Sequence, residues 1–140
     1  MARRILERKS VKLIKIWLSA TAWQTVYKLK KNPKLSYRML KYQRKVEREL
    51  RTCEKAKDEM VYEIAGVDKP APGDAVACDI SGDAEKMIEL NKRFNEFLQG
   101  DSDLELVGMT LEEFIEQLGD ANVISEEEIE LLEPFFTSPA

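Results

Sequence analysis

The residues with the clearest chemical potential are five cations, Lys41, Arg44, Arg48, Arg51 and Lys55. They recur every three or four residues, so on a helix they form one basic face. Such a face can track a phosphate backbone, and Trp17, Trp23, Tyr37 and Tyr42 on the same stretch of chain can stack on bases. The plain alternative is a solvated face whose aliphatic stems shield a core. The aromatics favour that alternative, because their spacing places them with the apolar stripe. No helix-turn-helix, finger or other nucleic-acid reader accompanies the charge.

A second constellation is acidic. Asp101, Asp103, Glu105 and Glu112 match positions one, three, five and twelve of a calcium loop, but the sixth position is Leu106 where the loop needs glycine. Solvated acids are the better reading. Glu112, Glu113, Glu116, Asp120 and Glu126–Glu128, with Glu127 at the centre of that last run, could together imitate a nucleic acid and fill a basic groove on a partner. Several of them also suit first helical turns, where the helix dipole favours negative charge.

Nucleophilic chemistry finds little support. The chain has no histidine, which removes the commonest general base and metal ligand. Cys53 falls on an apolar stripe, and Cys78 lies beside Asp79, whose charge raises a thiol pKa. There is no CxxC pair and no phosphate-binding glycine loop. The expectation is a non-enzymatic protein with no catalytic residues, no cofactor and no metal site.

The elements that must carry these groups follow from periodicity. The 140 residues suffice for a core without staples. Residues 5–31 read as a helix with Leu6, Leu13, Trp17, Ala20 and Tyr27 on one stripe, stopped by Asn32-Pro33. Residues 35–65 read as a longer helix whose apolar face runs through Met39, Tyr42, Val46, Leu50, Cys53, Met60 and Ile64. At 100° per residue the basic face lies about 175° away. Gly66 is its stop. The short turn between the two makes an antiparallel hairpin the natural geometry.

Residues 67–82 form a linker rich in Pro and Gly, with Val76–Ile80 as one short candidate strand. A third helix spans 83–99, with Met87, Ile88, Asn91, Phe94 and Leu98 on one face. Leu104–Val107 reads as a short strand. Thr110 and Glu113 have the spacing of a capping box opening a helix to Leu118, and Ser125 and Glu128 repeat the device for a last helix ended by Pro134. Phe135 and Phe136 should pack back on the core. The predicted fold is mainly α: a basic helical hairpin (1–66) joined by the linker to an acidic helical segment (83–140) with one short β pairing, forming one compact domain.

Charge is divided along this order. Residues 1–62 carry a balance of +12 and residues 63–140 one of −16. A split of this kind points to interaction, unless the two halves cover each other. The longest apolar stretch, Leu13–Tyr27, is interrupted by Lys15 and polar residues and falls short of a membrane span. Glu7 and Lys15 also spoil a secretory signal, so a cytoplasmic protein with reduced thiols is expected.

The order of motifs also resembles a known family. Asn32-Pro33-Lys34-Leu35-Ser36-Tyr37 leads into the long charged helix with Glu47-Arg48-Glu49-Leu50. Then come Asn91-Lys92-Arg93-Phe94-Asn95-Glu96-Phe97-Leu98, Leu104-Glu105-Leu106, Met109-Thr110-Leu111 and the ending Leu131-Leu132-Glu133-Pro134-Phe135. Over residues 18–136 this is similar to a family of small phage and prophage proteins of unknown function. The resemblance implies a phage-type accessory protein working in a bacterial host by binding a protein partner. It supplies no catalytic residues. The alternatives carried beside it are nucleic-acid binding through the hairpin and a self-associating virion structural or assembly component.

Overall fold

The computed structural model describes residues 10–67, 80–119 and 124–137. Within them the protein is mainly α, with six α-helices and two small strand pairings. Strand β1 (Ser10–Lys12) leads into α1 (Leu13–Leu18) and α2 (Ala20–Lys28), and a short turn then opens α3 (Pro33–Ala65). Helix α4 (Ala84–Leu98) precedes β2 (Asp101–Glu105), β3 (Val107–Thr110) and α5 (Leu111–Leu118). Helix α6 (Glu126–Leu132), a 3-10 turn (Glu133–Phe135) and β4 (Phe136–Thr137) complete the described order.

Helix α3 is set by its ends. Asn32 accepts the Leu35 N–H at 2.8 Å through its side chain, and Pro33 occupies the first turn, where its missing N–H costs nothing. Gly66 closes the helix in the left-handed conformation, φ 73°. Thirty-three residues make a rod about 50 Å long.

The first arm differs from the single helix expected over 5–31. Residues 5–9 lie outside the described residues, and 10–12 form a strand that pairs antiparallel with β2 (Ser10 with Glu105, Lys12 with Asp101). The Ser102 hydroxyl donates to the Val11 carbonyl and fastens the pair. The helix also breaks at Ser19. Its buried hydroxyl donates to the Ile16 carbonyl at 2.8 Å, an alternative to the helical ladder that short polar side chains offer.

The two arms nevertheless run antiparallel. Leu13, Ile14 and Trp17 meet Cys53 and Met60, whereas farther along Gln43 Nε2 donates to the Trp23 carbonyl at 2.9 Å. Helix α4 packs along the far half of α3, burying Phe94 and Leu98 against Cys53 and Leu13. Trp17 meets Phe94 edge-on at 4.9 Å. Arg93 on α4 pairs with Glu63 at 3.2 Å.

The larger core lies at the other end of α3. Ile16, Trp23, Val26, Leu35, Met39, Tyr42 and Val46 pack with Phe114, Leu132, Phe135 and Phe136. Phe135 sets its ring edge-on to Trp23 at 5.2 Å, so the expected return of the two phenylalanines to the core is present. The expected β pairing is joined by a second, parallel one, β3 with β4 (Val107 with Phe136). The strand read over Leu104–Val107 straddles the end of β2 and the start of β3, with Leu106 between them. Residues 76–79 of the other candidate strand lie outside the described residues, and Ile80 is not in a strand.

Three apolar assignments change. Tyr27, placed on the core stripe, and Ile88, placed on the buried face of α4, are exposed. The core face of α4 runs through Leu90, Phe94 and Leu98 instead. Tyr37 also leaves the apolar stripe, with consequences for the site.

Candidate interaction face on α3

The capped start of α3 fixes the phase of every side chain after it. Lys41, Arg44, Arg48, Arg51 and Lys55 are all exposed, opposite the buried Met39, Tyr42, Val46 and Cys53. Among the described residues no ion pair ties any of the five to a carboxylate. Tyr37 stands among them with 66% of its surface exposed, and the Lys41 Nζ lies 5.3 Å from its ring centroid. This corrects the placement of Tyr37 with the core. Trp23 and Tyr42 are core residues, and Trp17 is half-buried against Phe94.

The cationic surface is wider than the five residues. Lys34, Arg38 and Lys45 join Lys41 and Arg48 along one wall of a groove of about 790 Å³. These five residues lie within an arc of about 80° on α3. Arg44, Arg51 and Lys55 do not line the groove and form an outer crest. A second helical phase through the same charge-rich segment contains this signal, but only the facing wall makes it a groove.

That wall is the extended segment Asp103–Gly108. Two side chains of α3 pin it. The Tyr42 hydroxyl donates to the Glu105 carbonyl at 2.7 Å, and Arg38 Nη2 donates to the Gly108 carbonyl at 2.7 Å. Glycine at 108 suits this approach, since a Cβ there would stand 3.0 Å from Arg38 Nη2. Asp103 and Glu105 bring carboxylates to the same wall, and Glu49 adds one from α3. Among the described residues the acidic half therefore borders the basic face along one edge without covering the crest.

The remaining acids are spread over two helices. Glu112, Glu113 and Glu116 are exposed on α5, whose start is capped by the Thr110 hydroxyl accepting the Glu113 N–H at 3.1 Å. Glu127 is exposed on α6, which packs on α2. Ser125 and Glu128 form the full capping box there, and hydrogen bonds from the Thr25 and Ser125 hydroxyls hold the Glu128 carboxyl below its usual range. Asp120 lies outside the described residues. Asp101, Asp103 and Glu105 lie along an extended strand and do not wrap a common centre. Among the described residues no three acidic or thiol groups converge as metal ligands would.

Cys53 is fully buried, and burial pushes its thiol up, with Glu49 and Glu54 adding to the effect. A protonated, inaccessible thiol is a poor nucleophile. Cys78 lies outside the described residues. Among the described residues no helix is long and apolar enough to cross a membrane.

No protein-family model, no curated protein and no solved structure matches this chain.

Proposed function

We propose that this is a non-enzymatic interaction protein of the phage accessory type its sequence resembles. It acts in the cytoplasm of a bacterial host by setting the cationic crest of α3 on an acidic surface of a protein partner. The observation that carries this reading is the exposure of Lys41, Arg44, Arg48, Arg51 and Lys55 without a carboxylate partner among the described residues. Isolated cations on one rigid helix gain little within the chain and raise the on-rate toward a surface of opposite charge.

One observation favours a second reading, nucleic-acid binding. Tyr37 is exposed within the cationic surface, where a base can stack on it.

The experiment compares wild type with an Arg44→Glu/Arg51→Glu/Lys55→Glu variant in pull-downs from bacterial lysate, with and without nuclease. All three positions lie outside the groove, and circular dichroism checks that the variant folds. A discrete protein partner that survives nuclease and is lost in the variant is the expected result. Retention of that partner by the variant, or turnover of a substrate by the wild type, overturns the reading. Nucleic acid lost on nuclease treatment transfers the face to the second reading.

A further inference from the structure

We infer that the groove between α3 and the Asp103–Gly108 segment receives helix α6 of a second copy of this chain, joining copies head to tail. This goes beyond the partner reading above. It uses the groove wall and leaves Arg44, Arg51 and Lys55 of the crest for another partner.

The match is one of spacing and sign. On the groove wall, Lys41, Lys45 and Arg48 stand four and then three residues apart. On α6 and the turn that continues it, Glu126, Glu130 and Glu133 stand four and then three residues apart. Both rows span about 10.5 Å along a helix axis. Three carboxylates can therefore meet three cations in one register. All six residues are exposed, and among the described residues none of them makes an ion pair. Within one copy, Glu130 and Glu133 border a separate hollow beside Lys15 and Phe136, not the groove.

The groove suits a short acidic stripe better than a continuous polyanion. Its far wall carries Asp103 and Glu105, and Glu49 closes one end. A phosphate chain running down the groove would meet like charge along that wall. Helix α6 can turn the row Glu126, Glu130 and Glu133 toward α3, because its other two acids, Glu127 and Glu128, lie off that row. Tyr37, which is exposed and lines the groove, gives the contact apolar area that charge alone lacks.

The groove and α6 are different patches of the molecule, so the contact is heterologous. Every copy has one socket and one plug, and assembly closes into a ring or grows into a filament. The attraction is between exposed charges, so it weakens as salt shortens the Debye length.

Sedimentation velocity tests this with the full chain alone. At low ionic strength the wild type should sediment above the 16.1 kDa monomer and return to it in high salt. The socket variant Lys41→Gln/Lys45→Gln/Arg48→Gln and the plug variant Glu126→Gln/Glu130→Gln/Glu133→Gln should each be monomeric. Mixed, they should form a pair of one copy each that grows no further, because only one socket and one plug remain functional. That rescue also shows that both variants are folded. A wild type that stays monomeric at low salt and high concentration overturns the inference, as does undiminished assembly of either variant. A monomeric wild type that binds an oligonucleotide, and loses it in the socket variant, assigns the groove to nucleic acid instead. None of these results depends on the pull-down with the crest variant, so the two ideas fail separately.

Discussion

Tyr42 and Glu105 are joined across 63 residues by a 2.7 Å hydrogen bond from the phenol hydroxyl to the main-chain carbonyl. The bond ties the middle of α3 to the strand that faces it. It also turns the same residue's ring inward, where it lies 5.6 Å from the Trp23 ring. Removing the hydroxyl in Tyr42→Phe keeps the ring and deletes this one tie between α3 and β2. The expected loss is about 1 kcal/mol, read from urea unfolding.

The same residue predicts a response to alkali. Burial raises the Tyr42 hydroxyl well above its ordinary value of 10.0. Above about pH 10 the unfolded chain releases this proton and the folded chain keeps it, so stability falls as pH rises. The contribution is whole below that point. The stability difference between wild type and Tyr42→Phe should therefore shrink as pH climbs beyond 10. A difference that holds constant to pH 11 would refute the assignment.

Two glycines with the same φ should tolerate substitution differently. Gly66 has φ 73° and ψ 26°, the left-handed helical region that asparagine also visits. Gly119 has φ 73° and ψ −177°, a region essentially restricted to glycine. Neither has an atom within 4 Å of an added Cβ, so backbone conformation alone decides. Gly66→Asn should change the midpoint of thermal unfolding little. Gly119→Asn should cost about 1 to 3 kcal/mol.

Phe135 is fully buried, with its ring edge-on to both Trp23 and Tyr42. Phe135→Ala should cost about 3 to 5 kcal/mol in denaturant unfolding. Because the ring lies against an indole, the native tryptophan emission should also shift.

In a Cys78→Ser background, Cys53 should resist alkylation while the protein is folded. It should react fully in denaturant, because its thiol is both buried and held protonated. Quantifying the adduct by intact-mass measurement in each state distinguishes this from an accessible thiol.

The long helix is legible in the sequence because punctuation marks both ends, Asn32-Pro33 before it and Gly66 after it. The last helix is legible through Ser125 and Glu128, a box that works over three residues and needs no tertiary context. Most of what is not legible depends on distant partners. Ser10–Lys12 lies in a basic run with no strand pattern, and its conformation is set by a strand about 90 residues later. The break at Ser19 interrupts an apolar stripe that reads as continuous, because one hydroxyl turns back on its own backbone. The exposed cations of α3 follow from helical phase alone. The groove does not, because its second wall is made by Asp103–Gly108, whose position depends on bonds from Tyr42 and Arg38.

The pairing of β3 with β4 has a consequence for synthesis on the ribosome. The apolar stripe of α3 is complete once Ala65 is made, yet the side chains that cover its first half include Leu132, Phe135 and Phe136. At 5 to 20 residues per second, roughly 4 to 14 seconds separate those events. Throughout that interval the nascent chain presents Met39, Tyr42 and Val46 without their final cover. Translation speed and chaperone supply should therefore govern the yield of this protein more strongly than the stability of its finished fold.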